Sequence, residues 1–110
     1  MQVFALATCD TCRKALAELR AAGHAPEVID LRRDGVPPET LREMMAALGG
    51  ALLNRRSTTW RGLCAAEREQ PAEALLAAHP ALMKRPVIRA AGVWHLGWGD
   101  DVRRALLEPG

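Results

Sequence analysis

The sequence has little of several features that would assign it to a special class of protein. Its three cysteines, Cys9, Cys12 and Cys64, do not indicate a disulfide framework, because they are few and an odd number cannot all be paired. The formal net charge of +2 is too small to indicate a nucleic-acid or membrane partner. No apolar run reaches the roughly 18 residues of a membrane span, and the opening residues do not resemble a secretory signal. We therefore expect a cytoplasmic protein that binds neither membranes nor nucleic acid directly.

The composition is that of an ordinary globular domain. Of the 110 residues, 49% are hydrophobic and 25% are charged, whereas a disordered chain would have fewer apolar residues and a larger net charge. This length suits one domain with a continuous core. No internal repeat, low-complexity segment or flexible linker divides the chain. We therefore expect a single domain over residues 1–110.

The N-terminal part of the sequence has the pattern of a β-α-β unit. Residues 2–7 are a short apolar run, which predicts a buried strand. A helical spacing of apolar residues begins at Cys9 and stops before Gly23, and residues 27–30 again favour a strand. Two parallel strands joined by a helix form a right-handed crossover. These residues therefore predict the first half of an α/β sheet.

The middle of the chain predicts helices. An apolar stripe over residues 41–48 indicates one helix, and residues 71–79 indicate another that begins on a proline and ends before the next one. Residues 51–63 have no clean period. A largely helical segment is therefore expected between the second and third strands.

The C-terminal part of the sequence predicts a hairpin and a last helix. Residues 87–88 and 93–96 are apolar and flank a break that contains glycine, which is typical of a β-hairpin. Asp100 or Asp101 is a candidate cap for the final helix. A hairpin adds antiparallel strands, so the sheet is expected to be mixed, with helices on both faces. A Cys-x-x-Cys pair beside a β-α-β unit indicates a thioredoxin-like fold.

The Cys-x-x-Cys segment places a thiol at the start of a helix. Cys9 falls at the strand-to-helix junction, where free backbone N–H groups and the helix dipole favour an anion. Arg13 and Lys14 follow about one turn later and add positive charge. We expect the pKa of Cys9 to be lowered from about 8.5 toward neutral, which makes Cys9 the nucleophile. Cys12, one turn inside the helix, is placed to be a resolving thiol.

Two other interpretations of the cysteines remain. Free cysteine is often a small core residue, so Cys9 and Cys12 need not be reactive. A zinc site would require two more ligands at suitable spacing, and the remaining cysteine and the three histidines are not paired at ligand spacing. We therefore expect no metal site and interpret Cys64 as structural.

Five segments in order resemble the arsenate reductase (ArsC) family: CDTCRKAL, RRDG, ALLNRRSTTWRGL, MKRPVI and HLGWGDD. The sequence is most similar to the arsenate-reductase-like branch related to the Spx regulators, from about Val3 to Val102. LLNRRSTTW followed by KRP is specific, whereas Cys-x-x-Cys alone is not. The resemblance implies a thioredoxin-like mixed four-stranded sheet, β-α-β … β-β-α. It also implies a helical insertion after the second strand, at about residues 38–83.

The resemblance also implies a set of site residues. Reductases of the family form a covalent thiol–arsenic adduct on a cysteine that matches Cys9, and they resolve it with glutathione and glutaredoxin. An arginine after the cysteine loop matches Arg13, and another before a cis proline matches Arg85, which precedes Pro86. No tightly bound cofactor is implied, because glutathione is a co-substrate. Arginine's planar fork suits an oxyanion or a carboxylate of glutathione.

Further positions complete the expected substrate site. Arg55 and Arg56 are expected to supply a second positive wall, and Lys14 and Pro86 are candidates for substrate contact. The chain departs from authentic glutathione-linked arsenate reductases after the late hairpin, where those enzymes carry a further arginine and this sequence has GVWHLGWGDD. The departure leaves the identity of the oxidised substrate open.

Three functions follow from these residues. The first is a glutathione-dependent thiol oxidoreductase in which Cys9 attacks the substrate, Arg13 and Arg85 hold an anion, and glutathione or Cys12 releases the adduct. The second is a Spx-like regulator in which the redox state of the cysteine pair alters contacts with RNA polymerase. The third is a non-catalytic module that binds glutathione. Of these, we expect the enzyme.

Overall fold

A computed structural model describes residues 1–107 of the chain. The chain forms two compact units: residues 1–30 with the segment that begins at Arg85, called here the sheet unit, and residues 31–84, called the helical unit. The single domain expected from the sequence therefore stays a prediction. In chain order the strands and helices are β1 (Gln2–Ala5), α1 (Asp10–Ala21), β2 (Glu27–Asp30), α2 (Pro38–Leu48), α3 (Thr58–Arg61), α4 (Ala65–Arg68), α5 (Ala72–Ala78), β3 (Val87–Ala90), β4 (Val93–Leu96) and α6 (Asp100–Leu107).

The four strands form one mixed sheet in the order β2-β1-β3-β4. β1 pairs with β2 in parallel, and Val3 lies opposite Val28. β1 pairs with β3 in antiparallel orientation, and β3 pairs with β4 as the predicted hairpin. This arrangement confirms the predicted fold class, a mixed thioredoxin-like β-α-β … β-β-α sheet.

The core of the sheet unit fixes the position of α1. Val3 and Ala5 of β1 and Ile88 of β3 pack in one cluster with side chains of α1 and α6. α1 contributes Cys12 and Leu19 to this cluster, and both are buried because they lie on the same face of the helix. Each large apolar side chain buried in this way stabilises the fold by about 1.5–3 kcal/mol. The packing thus holds the start of α1 at the end of β1.

The structure corrects two details of the sequence interpretation. β1 ends at Ala5 rather than at residue 7, because the chain turns there and the Cys9 N–H donates to the Leu6 carbonyl at 3.1 Å. α6 begins at Asp100 itself, and the Arg103 N–H donates to the carbonyl of Gly99 at 2.9 Å. The two aspartates therefore lie in the first turn, where negative charge suits the helix dipole, rather than at the cap.

The helical unit contains all the helices between β2 and β3, from Pro38 to Leu82, within the range predicted for the insertion. α2 buries Leu41 and Met44, and α5 buries Leu75 and Leu76. The segment without a clean period contains a 3₁₀ turn and α3, which Ser57 caps by accepting from the Trp60 N–H at 3.1 Å. Within residues 1–107, no helix is long and apolar enough to cross a membrane.

Glu18 joins α1 to the C-terminal part of the sheet unit. Its carboxylate accepts hydrogen bonds from the indole N–H of Trp98 and from the guanidinium of Arg103, the latter at 2.9 Å. Lys14, one turn earlier on α1, adds a smaller electrostatic contribution. The Trp98 and Arg103 contacts hold the pKa of Glu18 below its usual range because they stabilise the charged carboxylate.

We expect the stabilising effect of Glu18 to depend on pH. A carboxyl group with a lowered pKa in the folded state stabilises that state above its unfolded pKa, near 4.3, and loses this effect as the pH falls. Glu18→Gln should therefore reduce the free energy of unfolding at pH 7 and have a smaller effect at pH 3, measured by urea denaturation. Glu69→Gln, an exposed carboxylate, is the control. An equal loss for Glu18→Gln at both pH values would contradict the role of its charge.

Candidate functional site

Cys9 occupies the residue that precedes α1, between β1 and the helix. Its backbone is extended, with φ −89° and ψ 115°, and its carbonyl accepts the first helical hydrogen bond, from the Arg13 N–H at 3.1 Å. Its side chain is half-buried. This is the N-cap position, where the unpaired N–H groups of the first helical turn are directed toward the preceding side chain. A sulfur anion at this position is favoured by the helix dipole.

Opposing effects act on the Cys9 thiol. Partial burial raises the pKa of Cys9, but the backbone N–H of Cys12, the thiol of Cys12 and the guanidinium of Arg85 together outweigh it. The net result is a pKa of Cys9 below its ordinary value. A thiol with a lowered pKa has more of the nucleophilic thiolate at neutral pH, so Cys9 meets the chemical requirement for a nucleophile.

Cys12 has the opposite character. Its side chain is only 1% exposed and packs in the core cluster of the sheet unit. Burial is the main effect that raises the pKa of Cys12 to about 12, and the negative charge of Cys9 adds to it, while the backbone N–H of Leu6 opposes it in part. The Cys12 thiol therefore stays protonated at neutral pH and faces Cys9 as a hydrogen-bond donor.

Arg85 lies two residues before the start of β3. The Arg85–Pro86 peptide bond is cis, as the resemblance implied, and Pro86 is buried. The Pro86 carbonyl accepts a hydrogen bond from the Gly97 N–H at 2.8 Å, which ties this segment to the end of β4. Arg85 acts on Cys9 both as a hydrogen-bond donor and through its positive charge. The structure thus brings Cys9, Cys12 and Arg85 together.

The other two cations expected to act on the sulfur interact with other groups. Arg13 forms an ion pair with Asp10, one turn earlier on α1, and its side chain is 64% exposed. Lys14 is exposed, and its charge acts on Glu18. Arg85 is the cation that lowers the pKa of Cys9. Asp10 accounts for the difference, because a carboxylate beside Arg13 neutralises the charge that the sequence places near the thiol.

Arg55 and Arg56 lie in the helical unit and line one cavity. This cavity, of about 580 Å³, is also lined by Asn54 and Lys84. Within residues 1–107, none of the three cations forms an ion pair, although the Arg55 guanidinium lies 5.8 Å from the centre of the Trp60 ring. Three positive charges without a carboxylate partner favour an anionic ligand.

Lys84 is the residue of this cavity that sequence reasoning missed. It lies in the MKRPVI segment, in which Arg85 and Pro86 are the residues that the sequence predicts for the site. Its backbone N–H donates to the Leu52 carbonyl at 2.8 Å, next to the isolated bridge between Leu53 and Met83. This pairing places Lys84 beside the segment that carries the two arginines. Nothing in the spacing of the sequence indicates it.

The remaining cysteine has a structural position. Cys64 is exposed and precedes α4, and its backbone N–H donates to the Glu67 carboxylate at 3.1 Å in a capping box. Over the described part of the chain, no three His, Cys, Asp or Glu side chains form a group that could hold a metal ion.

The chain is similar to known proteins over nearly its whole length. A family model described as the ArsC family matches residues 4–106. A Haemophilus influenzae protein described as uncharacterized is 33% identical over 108 residues, which covers 94% of this chain and 95% of that protein. The structure of a protein named YFFB is 32% identical with a TM-score of 0.88, covering 97% of this chain and 98% of that one. The structure of an arsenate reductase (ArsC) related protein from Brucella melitensis is 29% identical with a TM-score of 0.72, covering 94% and 91%.

We expect Cys9 to react as an activated thiol. In a Cys64→Ser background, the pH dependence of Cys9 alkylation by iodoacetamide should have a midpoint below about 8.5. Arg85→Gln should raise this midpoint, because it removes a donor and a positive charge from the thiolate. Arg13→Gln is the matched control and should shift the midpoint less, since Asp10 already pairs with Arg13. A midpoint at 8.5 or above in the parent protein would exclude the activated thiolate.

Proposed function

Because this chain belongs to the ArsC family, we propose that it is a glutathione-dependent thiol oxidoreductase whose nucleophile is Cys9. The observation that carries the proposal is the lowered pKa of Cys9 at the start of α1, beside Arg85. A thiolate at a helix N-terminus with an adjacent guanidinium is the arrangement that nucleophilic thiol chemistry requires.

In the first step, the Cys9 thiolate attacks the electrophilic atom of an oxidised substrate. For a mixed disulfide with glutathione, a bond forms between the Cys9 sulfur and the glutathione sulfur. The substrate leaves as a thiolate with the electron pair of the broken S–S bond. For an oxyanionic substrate, Cys9 instead displaces an oxygen, which leaves as water after taking up protons from solvent. Arg85 stabilises the negative charge that develops in either case.

In the second step, glutathione completes the reduction. For the disulfide substrate, a second glutathione thiolate attacks the glutathione sulfur bound to Cys9 and forms glutathione disulfide. The electron pair returns to Cys9, which leaves as the thiolate. Glutaredoxin can supply the attacking thiol in place of the second glutathione. Glutathione is thus a co-substrate that is oxidised, and the proposal requires no resident cofactor.

The cavity of the helical unit is the proposed site for the carboxylates of glutathione. Arg55 and Arg56 offer planar donor groups that match a carboxylate, and Lys84 adds a third positive charge. All three side chains are exposed, which suits a co-substrate that binds and leaves in each cycle.

One related structure supports a reductase, and the segment after β4 leaves the identity of its oxidised substrate open. One related structure is described as an arsenate reductase (ArsC) related protein, and it is 29% identical to this chain. After β4, this chain has Gly97 and Trp98 in the segment where authentic arsenate reductases carry a further arginine. A site with one arginine beside the thiol binds a large oxyanion less tightly than a site with more. A glutathionylated thiol is therefore the proposed first substrate to test.

Loss of the nucleophile should abolish turnover. We expect Cys9→Ser to lower the glutathione-dependent reduction of a small mixed disulfide by about 10³-fold or more, since the hydroxyl cannot replace a thiolate. Arg85→Gln should lower it by about 10²-fold, the typical effect of removing one group that stabilises developing charge. The measurement is NADPH consumption coupled through glutathione reductase. Cys64→Ser should retain activity, and turnover by Cys9→Ser at the parental rate would refute the mechanism.

Removal of the cavity cations should weaken glutathione binding. We expect Arg55→Ala, Arg56→Ala and Lys84→Ala each to raise the KM for glutathione by about two- to fivefold with little change in kcat, because exposed charge pairs contribute up to about 1 kcal/mol. The matched control is Arg42→Ala, an arginine of the helical unit that pairs with Glu73 and lies outside this cavity. A triple variant with an unchanged KM would show that glutathione binds elsewhere.

A further inference from the structure

A group of arginines in the helical unit extends beyond the cavity that the proposed function uses. It consists of Arg55, Arg61 and Arg68 together with Trp60, and is called here the Arg–Trp surface. The guanidinium carbons of Arg55 and Arg68 lie 5.8 Å and 5.4 Å from the centre of the Trp60 ring. Arg55 also lines the cavity, so the Arg–Trp surface adjoins it.

Backbone carbonyls, rather than carboxylates, hold two of these guanidinium groups in place. Arg68 donates to the Trp60 carbonyl from Nε at 3.3 Å and from Nη2 at 3.1 Å, and Nη2 also donates to the Arg61 carbonyl at 3.2 Å. Arg61 in turn donates to the Arg56 carbonyl at 3.1 Å. A carbonyl fixes the direction of a guanidinium group but is itself neutral, so the positive charge is retained. The surface is therefore both ordered and cationic.

The charge of the Arg–Trp surface is not balanced by carboxylates of this chain. Over residues 1–107, none of its three arginines forms an ion pair. Glu67, which is close in sequence, instead accepts from the Cys64 N–H and lies 3.8 Å from the His79 ring. All three arginines are exposed. Exposed charges of one sign attract a partner of the opposite sign and speed its association.

The surroundings of Trp60 favour carboxylates over nucleic-acid bases. Single-stranded nucleic acid binds where its bases stack on an aromatic ring. Trp60 is half-buried and two guanidinium groups already lie over its ring, so a base would have to displace them. The formal net charge of +2 is also small for a protein that binds a phosphate backbone. The planar fork of arginine matches a carboxylate, so the surface fits a protein segment rich in aspartate and glutamate.

We propose that the oxidised substrate is a glutathionylated protein whose modified cysteine is flanked by acidic residues. These residues contact Arg61 and Arg68, while the glutathione moiety occupies the adjoining cavity. This inference rests on the proposed function, because it names the substrate of the first step. In that step a bond forms between the Cys9 sulfur and the glutathione sulfur. The bond to the substrate cysteine breaks, and the substrate protein leaves as a thiolate with its electron pair.

The decisive experiment compares two substrates on the unmodified protein. Both are short peptides with glutathione on a central cysteine, which is flanked by glutamates in one peptide and by glutamines in the other. We expect kcat/KM for the acidic peptide to be about three- to tenfold higher at low ionic strength, because opposite charges speed association. The ratio should approach one at about 0.5 M salt, which screens exposed charges. The measurement is NADPH consumption coupled through glutathione reductase.

Two variants assign the preference to the Arg–Trp surface. Arg61→Gln and Arg68→Gln should each lower the ratio of the two kcat/KM values by about twofold, the typical effect of one exposed charge pair. Arg42→Gln is the matched control and should leave the ratio unchanged, because Arg42 pairs with Glu73 and lies outside this surface. Circular dichroism and thermal unfolding show whether each variant is folded, and the comparison on the unmodified protein does not depend on them.

The outcomes separate this inference from the proposed function. Equal kcat/KM for the two peptides at low ionic strength would overturn the inference, while their turnover would still support the reductase. Failure to reduce either peptide or a small mixed disulfide would contradict the proposed function itself. Binding of a fluorescent single-stranded RNA that is lost in both arginine variants would assign the surface to nucleic acid and overturn the protein partner.

Discussion

The site depends on the interactions that stabilise a negative charge on the Cys9 sulfur. An isolated thiolate in a half-buried position is unfavourable, and burial alone would raise the pKa of Cys9. Three groups favour the charge by lowering the pKa of Cys9: the backbone N–H and thiol of Cys12 and the guanidinium of Arg85. Each comes from a different structural source, namely the start of a helix, a buried side chain and the segment before β3. Loss of any one shifts the balance back toward the neutral thiol.

The packing of the sheet unit provides this arrangement. α1 buries Cys12 and Leu19 against β1 and β3, which places the N-terminus of α1 beside the end of β1. The antiparallel pairing of β1 with β3 brings the segment before β3, and with it Arg85, back to the same edge. Glu18 of α1 supports this packing through its hydrogen bonds with Trp98 and Arg103. The apolar core and the charged site are therefore two consequences of the same helix position.

Cys9 and Cys12 lie one helical turn apart but differ in burial and therefore in the pKa of their thiols. Desolvation raises the pKa of both thiols. Donors outweigh it at Cys9, whereas at Cys12 the Leu6 N–H and the charge of Arg85 do not. The two pKa values consequently move in opposite directions, because a negative charge on Cys9 makes a second negative charge on the neighbouring Cys12 unfavourable. The pair thus consists of one thiol in which negative charge is favoured and one neutral donor, rather than two equivalent sulfurs.

The sequence by itself determined the four strands, the longer helices, the mixed sheet and the place of Cys9 at the start of a helix, because periodicity and the positions of glycine and proline are local signals. It did not indicate the short helices α3 and α4. The family resemblance pointed to Arg85 and its cis proline. Only the tertiary structure decided that Asp10 engages Arg13, that Lys84 shares a cavity with Arg55 and Arg56, and that Cys12 is buried and protonated. These properties depend on which groups surround a side chain after folding, and that is set by long-range packing rather than by neighbours in the chain.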